Sequence, residues 1–141
     1  MNEMFSSSKN LISVDISNLN AENLKDISSM FKNCYLLKDI NVSNFKTKEV
    51  NNMASMFEGC SALIELNLEN LDITKVTDIS FMFSNSGIKS IKFWKMNTNR
   101  ITNMESLFYY CNFESIDLSN FNTENVYNMR NMFAFCRRLK K

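Results

Sequence analysis

Apolar residues recur along this chain in two alternating rhythms. Between positions 63 and 71, Leu63, Leu66, Leu68 and Leu71 contain the every-other-residue alternation of a short strand. The same four places are filled by Leu11, Val14, Ile16 and Leu19, by Leu37, Ile40, Val42 and Phe45, by Ile88, Ile91, Phe93 and Met96, and by Phe113, Ile116, Leu118 and Phe121. After each strand pattern the rhythm changes. Val76, Ile79, Met82, Phe83 and Ser86 fall at steps of three, three, one and three, which predicts one face of a short helix of about two to three turns. Thr47, Thr98 and Thr123 each follow a strand-ending apolar residue by two positions, where a helix N-cap would be useful.

The two rhythms together form a repeat. A Met-Phe or Leu-Phe pair has its Phe at 5, 31, 57, 83, 108 and 133, at intervals of 26, 26, 26, 25 and 25. The shortening is local, because Ser86 to Ile88 and Cys111 to Phe113 each hold one residue fewer than Cys60 to Leu63. Repeats run near 4–29, 30–55, 56–81, 82–106 and 107–131, with a partial one at 132–141. One repeat alone buries too few side chains to offset the conformational entropy of ordering it, so each must lie against the next. The expected fold is therefore α/β: a single solenoid domain over 1–141, of about five 25–26-residue coils. Each coil carries one short parallel strand and a short helix or 3-10 turn, and each inward Leu, Met or Phe sits above its own equivalent.

The phrase L-x-x-L-x-L-x-N-F-x-T-x-x-V-x-N-M-x-x-M-F-x-x-C, seen in "LIELNLENLDITKVTDISFMF" and "FESIDLSNFNTENVYNMRNMF", resembles the BspA-type leucine-rich repeat. That variety is catalogued as a domain of unknown function in mycoplasma lipoproteins. The resemblance covers almost the whole chain. It implies a solenoid, commonly surface-displayed, used in adhesion or protein binding, and it implies no enzyme activity.

Composition narrows the chemistry. The chain has no His, no Pro and two Gly, so the commonest acid-base side chain and any Gly-rich phosphate cradle are missing. A net charge of +1 gives no general attraction to nucleic acid or to lipid. The expectation is a protein partner, with no cofactor, no metal, no nucleic acid and no membrane insertion. The start, "MNEMFSSSKNLISVDIS", lacks a basic segment followed by an apolar block, so no secretory signal is read there. The resemblance points to the cell surface; the missing signal makes the cytoplasm the alternative.

In a stack, each repeat position becomes a column. Ser8, Cys34, Cys60, Ser86, Cys111 and Cys136 share one, whose 25–26-residue spacing fits no zinc pattern. Parallel side chains in such a ladder make poor disulfide geometry, so buried free thiols are expected. Asn18, Asn44, Asn70, Lys95 and Asn120 form a second column, read as a structural amide ladder. Asp26, Asn52, Asp78, Asn103 and Asn128 form a third, placed early in each helix to favour its positive end.

Specificity is expected on the outward strand positions. Asp15, Asn41, Asn67, Lys92 and Asp117 form one outward column; Ser17, Ser43, Glu69, Trp94 and Ser119 form another. The fourth repeat, "IKFWKMNTNR", breaks a small, polar, mildly acidic style with Lys92, Trp94 and Lys95. With Glu69 and Asp117 beside them, these are the candidate partner-binding residues. The competing account has Trp94 packing over a local irregularity while Lys92 pairs with Asp117 across strands. Tyr109, Tyr110, Tyr127, Phe81 and Phe135 lie off the apolar stripe and crowd the C-terminal half. A second functional reading is structural: an assembly unit, or a piece of a longer array, that associates end to end through its terminal repeats.

Overall fold

The computed structural model describes residues 1–19, 22–92 and 97–140, with Lys92 described by its backbone alone. Four strands of three residues are present among them: β1 (Ser13–Asp15), β2 (Asp39–Asn41), β3 (Glu65–Asn67) and β4 (Ser90–Lys92). β1 pairs with β2 in parallel, Val14 opposite Ile40, and β3 pairs with β4 in parallel, Leu66 opposite Ile91. Each of these four strands therefore sits where the alternation placed it, and the central apolar residue of each faces its equivalent across the pair.

The expected solenoid of strand-plus-helix coils is not what forms. The described residues contain no helix, and their strands make two two-stranded sheets instead of one continuous ribbon. In the fifth repeat, 113–121 contains no strand. The helical reading fails for a physical reason. A helix spends its N–H groups on its own chain, whereas here alternate N–H groups leave the repeat. Ile27, Ser29, Phe31 and Asn33 donate to the carbonyls of Asn52, Ala54, Met56 and Glu58 at 2.7–3.1 Å. The N–H groups of Lys32 and Cys34 turn back to Ser29 and Phe31, closing two tight turns.

The turns need left-handed backbone twice per repeat. One column of positive φ holds Glu3, Ser29, Ser55, Phe81, Ser106 and Asn131; the other holds Ser7, Asn33, Gly59, Asn85, Tyr110 and Phe135. Asn and Gly in the second column suit that conformation. The outgoing bonds recur at every junction between successive turn segments, from Glu3→Ser28 to Tyr110→Ala134. Parallel bridges Asp26–Asn52, Asn52–Asp78, Asp78–Asn103 and Asn103–Asn128 run alongside them.

The side chains of this turn ladder make the core. Phe5, Phe31, Phe57, Phe83 and Phe108 stack nearly parallel with ring centroids 5.3–6.1 Å apart, and Phe133 follows at 5.4 Å. Val76, Ile79, Met82, Phe83 and Ser86 are all buried. The three-three-one-three spacing thus identified the inward face correctly, although turns and not a helix produce it.

The polar columns are reassigned too. Thr47 and Thr98 cap no helix; they are buried, and their hydroxyls donate to the carbonyls of Asp72 and Asn122 one repeat on, at 2.8 and 3.0 Å. Asp26, Asn52, Asp78, Asn103 and Asn128 lie in no helix. Each accepts, through its side-chain oxygen, the N–H two residues later, at 2.8–3.1 Å. The expected ladder of Asn18, Asn44, Asn70 and Asn120 is absent: these residues are exposed and their amides make no hydrogen bond among the described residues. Lys95 of that column lies outside the described residues.

Candidate protein-binding face

Pleating of the short strands decides what faces out. Val14, Ile40, Leu66 and Ile91 turn inward, which leaves Ser13 and Asp15, Asp39 and Asn41, Glu65 and Asn67, and Ser90 exposed. Several of these polar groups are fixed by local bonds. Asp15, Asn41, Asn67 and Asp117 each accept the N–H two residues on, at 2.8–3.1 Å. The Asn41 amide also donates to Asp15 at 3.0 Å, linking the first two repeats. The Ser17 hydroxyl and N–H, with the Asn41 amide, hold the Asp15 carboxyl below its ordinary value of 3.8; the Ser119 N–H and hydroxyl do the same for Asp117.

The candidate residues are only partly brought together. Lys92 ends β4, its backbone opposite Asn67. Glu69 is exposed and accepts the Asn67 amide at 3.1 Å, so it lies within one strand step of that pair. Asp117 is exposed, in a segment without strand pairing, held by its own turn. Trp94 and Lys95 lie outside the described residues.

A crevice on this face was not anticipated. Between β2 and β3, Asp39, Ile40, Glu65, Leu66, Asn67 and Ser90 line a hollow of about 250 Å³. It marks the one junction among the four strands where pairing stops. The reason is legible in the side chains. β1–β2 sets Ser13 opposite Asp39, and β3–β4 sets Glu65 opposite Ser90. Pairing β2 with β3 in the same register would set Asp39 opposite Glu65, and like charges directly across a sheet oppose pairing. Two acids 26 residues apart in one column were the available signal. A second hollow, of about 370 Å³, lies at the corner following β2, where Lys46, Lys48 and Asp72 meet.

The cysteine column is chemically quiet. All four thiols are free, with Cys34, Cys60 and Cys111 buried and Cys136 half-buried. Cys34, Cys60, Cys111 and Cys136 point their sulfurs at the carbonyls of Phe5, Phe31, Phe83 and Phe108 at 2.9–3.1 Å. Burial pushes the Cys60 and Cys111 thiols up to about 12, the opposite of a reactive thiolate. Among the described residues no group of three or more His, Cys, Asp or Glu is placed to hold a metal ion, and no helix is long and apolar enough to cross a membrane.

No curated protein and no solved structure matches this chain. A family model described as "Mycoplasma protein of unknown function, DUF285" matches residues 1–90 and again 87–141. Two successive matches in one chain fit a repeat whose bonds and side chains recur every 25–26 residues, and the chain belongs to the DUF285 family of mycoplasma proteins.

Proposed function

We propose that this chain is a non-catalytic protein-interaction module of the BspA-like repeat kind, displayed at a surface and binding, adhesin-like, through its outward strand face. One observation carries the reading. Inward side chains are consumed by the core and ladder N–H groups by the neighbouring repeat, while the outward residues of β1, β2 and β3 and Ser90 of β4 stay exposed, each strand paired in parallel with one neighbour. Such a face offers a fixed array of carboxylates and amides, suited to a basic segment of a partner protein. Lys92, Trp94 and Lys95 belong to the proposed face on sequence grounds, with Trp94 as its apolar anchor.

The test is binding of the labelled chain to an array of purified extracellular proteins, repeated with Asp39→Lys/Glu65→Lys and with Trp94→Ala. Saturable binding weakened about tenfold or more by either variant, at unchanged melting temperature, is the expected result. Absence of saturable binding, or binding indifferent to both variants, refutes the assignment. A large melting loss in Trp94→Ala with binding intact makes Trp94 a packing residue.

A further inference from the structure

The seam between β2 and β3 leaves more than space. Backbone bonds carry β1 to β2 and β3 to β4, with the Lys38 N–H donating to the Ile12 carbonyl at 2.8 Å and the Lys89 N–H to the Ile64 carbonyl at 2.9 Å. No hydrogen bond joins β2 to β3. The backbone groups on their facing edges are therefore left to solvent or to a ligand. Beside them stand Asp39 and Glu65, both exposed. Neither carboxylate has an ion-pair or hydrogen-bond partner among the described residues. Other acids of this face are taken up: Asp15 and Asp117 by their own turns, Glu69 by the Asn67 amide. Ile40 and Leu66 supply the apolar part of the lining.

Size and charge narrow the occupant. At about 250 Å³ the crevice is smaller than the roughly 300–1,000 Å³ of a small-molecule cleft, so it suits a single side chain. Among the described residues no third His, Cys, Asp or Glu joins the two acids, so a metal ion would lack ligands. A cationic side chain complements both walls. Of the two kinds, arginine fits the acceptors better. Its planar guanidinium presents five N–H donors that reach both walls at once, while its stem lies on apolar surface; an ammonium is a strongly hydrated point charge. We propose that the β2–β3 crevice receives one arginine side chain of a protein partner, with Asp39 and Glu65 holding the guanidinium and Ile40 and Leu66 meeting the stem. This names the anchor on the partner, and it rests on the outward strand face being the binding face. The charges that keep β2 and β3 apart in the free chain are the ones that attract the occupant, and the guanidinium links the strands where pairing fails. Both carboxylates are exposed, so salt screens the attraction and binding weakens as ionic strength rises.

The test is an amide NMR titration of the 1–141 chain with N-acetyl-arginine amide, and with N-acetyl-lysine amide as the second probe. The arginine probe should shift the amides of residues 39–41 and 65–67 saturably, and the lysine probe should bind about threefold or more weakly. Asp39→Asn/Glu65→Gln removes both charges at nearly constant size and should weaken the arginine probe about tenfold or more. Glu3→Gln/Glu124→Gln removes as many charges from exposed positions elsewhere and should leave binding unchanged. Melting temperature confirms that each variant is folded. No saturable shift at these residues, equal binding of the lysine probe, or equal loss in both double variants overturns the proposal. A purified partner lost with Trp94→Ala but indifferent to Asp39→Asn/Glu65→Gln overturns the arginine anchor and leaves the face assignment standing. If no protein binds saturably, the face assignment falls and the anchor falls with it.

Discussion

The two halves of each repeat solve one problem differently. The turn half is continuous: six segments, five junctions, the same outgoing N–H groups and the same ring column throughout. The strand half is interrupted, with two paired strands, a crevice, two more, and none in the fifth repeat. Both halves stack at the same 25–26-residue interval, so the interval alone does not close a sheet. The turn half stacks apolar side chains and Asx residues that tolerate their own kind above and below. The strand half brings Asp39 towards Glu65, and it loses a side-chain acceptor in the fourth repeat, where Lys92 stands in the column of Asp15, Asn41, Asn67 and Asp117.

The sharpest way to break the contrast is to damage the continuous half. Phe57 is fully buried between Phe31 and Phe83, with centroids at 5.7 and 6.1 Å. Phe57→Ala should cost about 3–5 kcal/mol in urea unfolding; a loss below about 1 kcal/mol would show that the column is not the structural spine. The hinge between the halves comes next. A Cβ on Gly87 would collide with the Ser61 carbonyl across the junction. Gly87→Ala should cost about 1–3 kcal/mol, since backbone and not a flexible side chain must yield.

Repairing the interrupted half should have a smaller effect of the opposite sign. Asp39→Ser copies the Ser13 and Ser90 places of the same column. It should add about 0.2–1 kcal/mol and slow amide exchange near Ile64, as β2 and β3 draw together. A destabilised variant would clear Asp39 of causing the gap. Acid should separate the halves by the smallest margin. The Asp15, Asp72 and Asp117 carboxyls lie below 3.8 and Glu49 below 4.5, each held there by hydrogen bonds that its charged form accepts. Folded values below unfolded ones mean that this stabilisation is present above about pH 4.5 and is lost as pH falls through the folded values. Amide exchange at pH 3 should therefore quicken in β1 and β2 before it does at Phe31 or Phe57. Equal quickening would break the distinction.

Much of this was legible in the residues. The Met-Phe or Leu-Phe interval matches the spacing of the stacked ring column, the alternation marks the four strands but also 113–121, where none forms, and the three-three-one-three spacing picks the buried face of the second half. Two misreadings share one cause. The helix and its Thr caps were inferred from spacing, but spacing records which side chains turn inward and not where the N–H groups go. Paired left-handed residues such as Ser29 and Asn33, or Ser55 and Gly59, were the signal for turns. The amide ladder was assigned to Asn18, Asn44 and Asn70 when the amides that bond lie three positions earlier, at Asn41 and Asn67.

By itself, the sequence determined the period, the inward columns and the parallel stacking of like on like, because a fragment this short must borrow its neighbour's surface to be buried. Only the tertiary structure decided how each backbone donor is spent, and hence turns in place of helices and two small sheets in place of one ribbon. A hydrogen bond from the turn ladder to the next repeat joins residues 24 or 25 apart, and nothing in the local spacing distinguishes it from a bond to the previous turn.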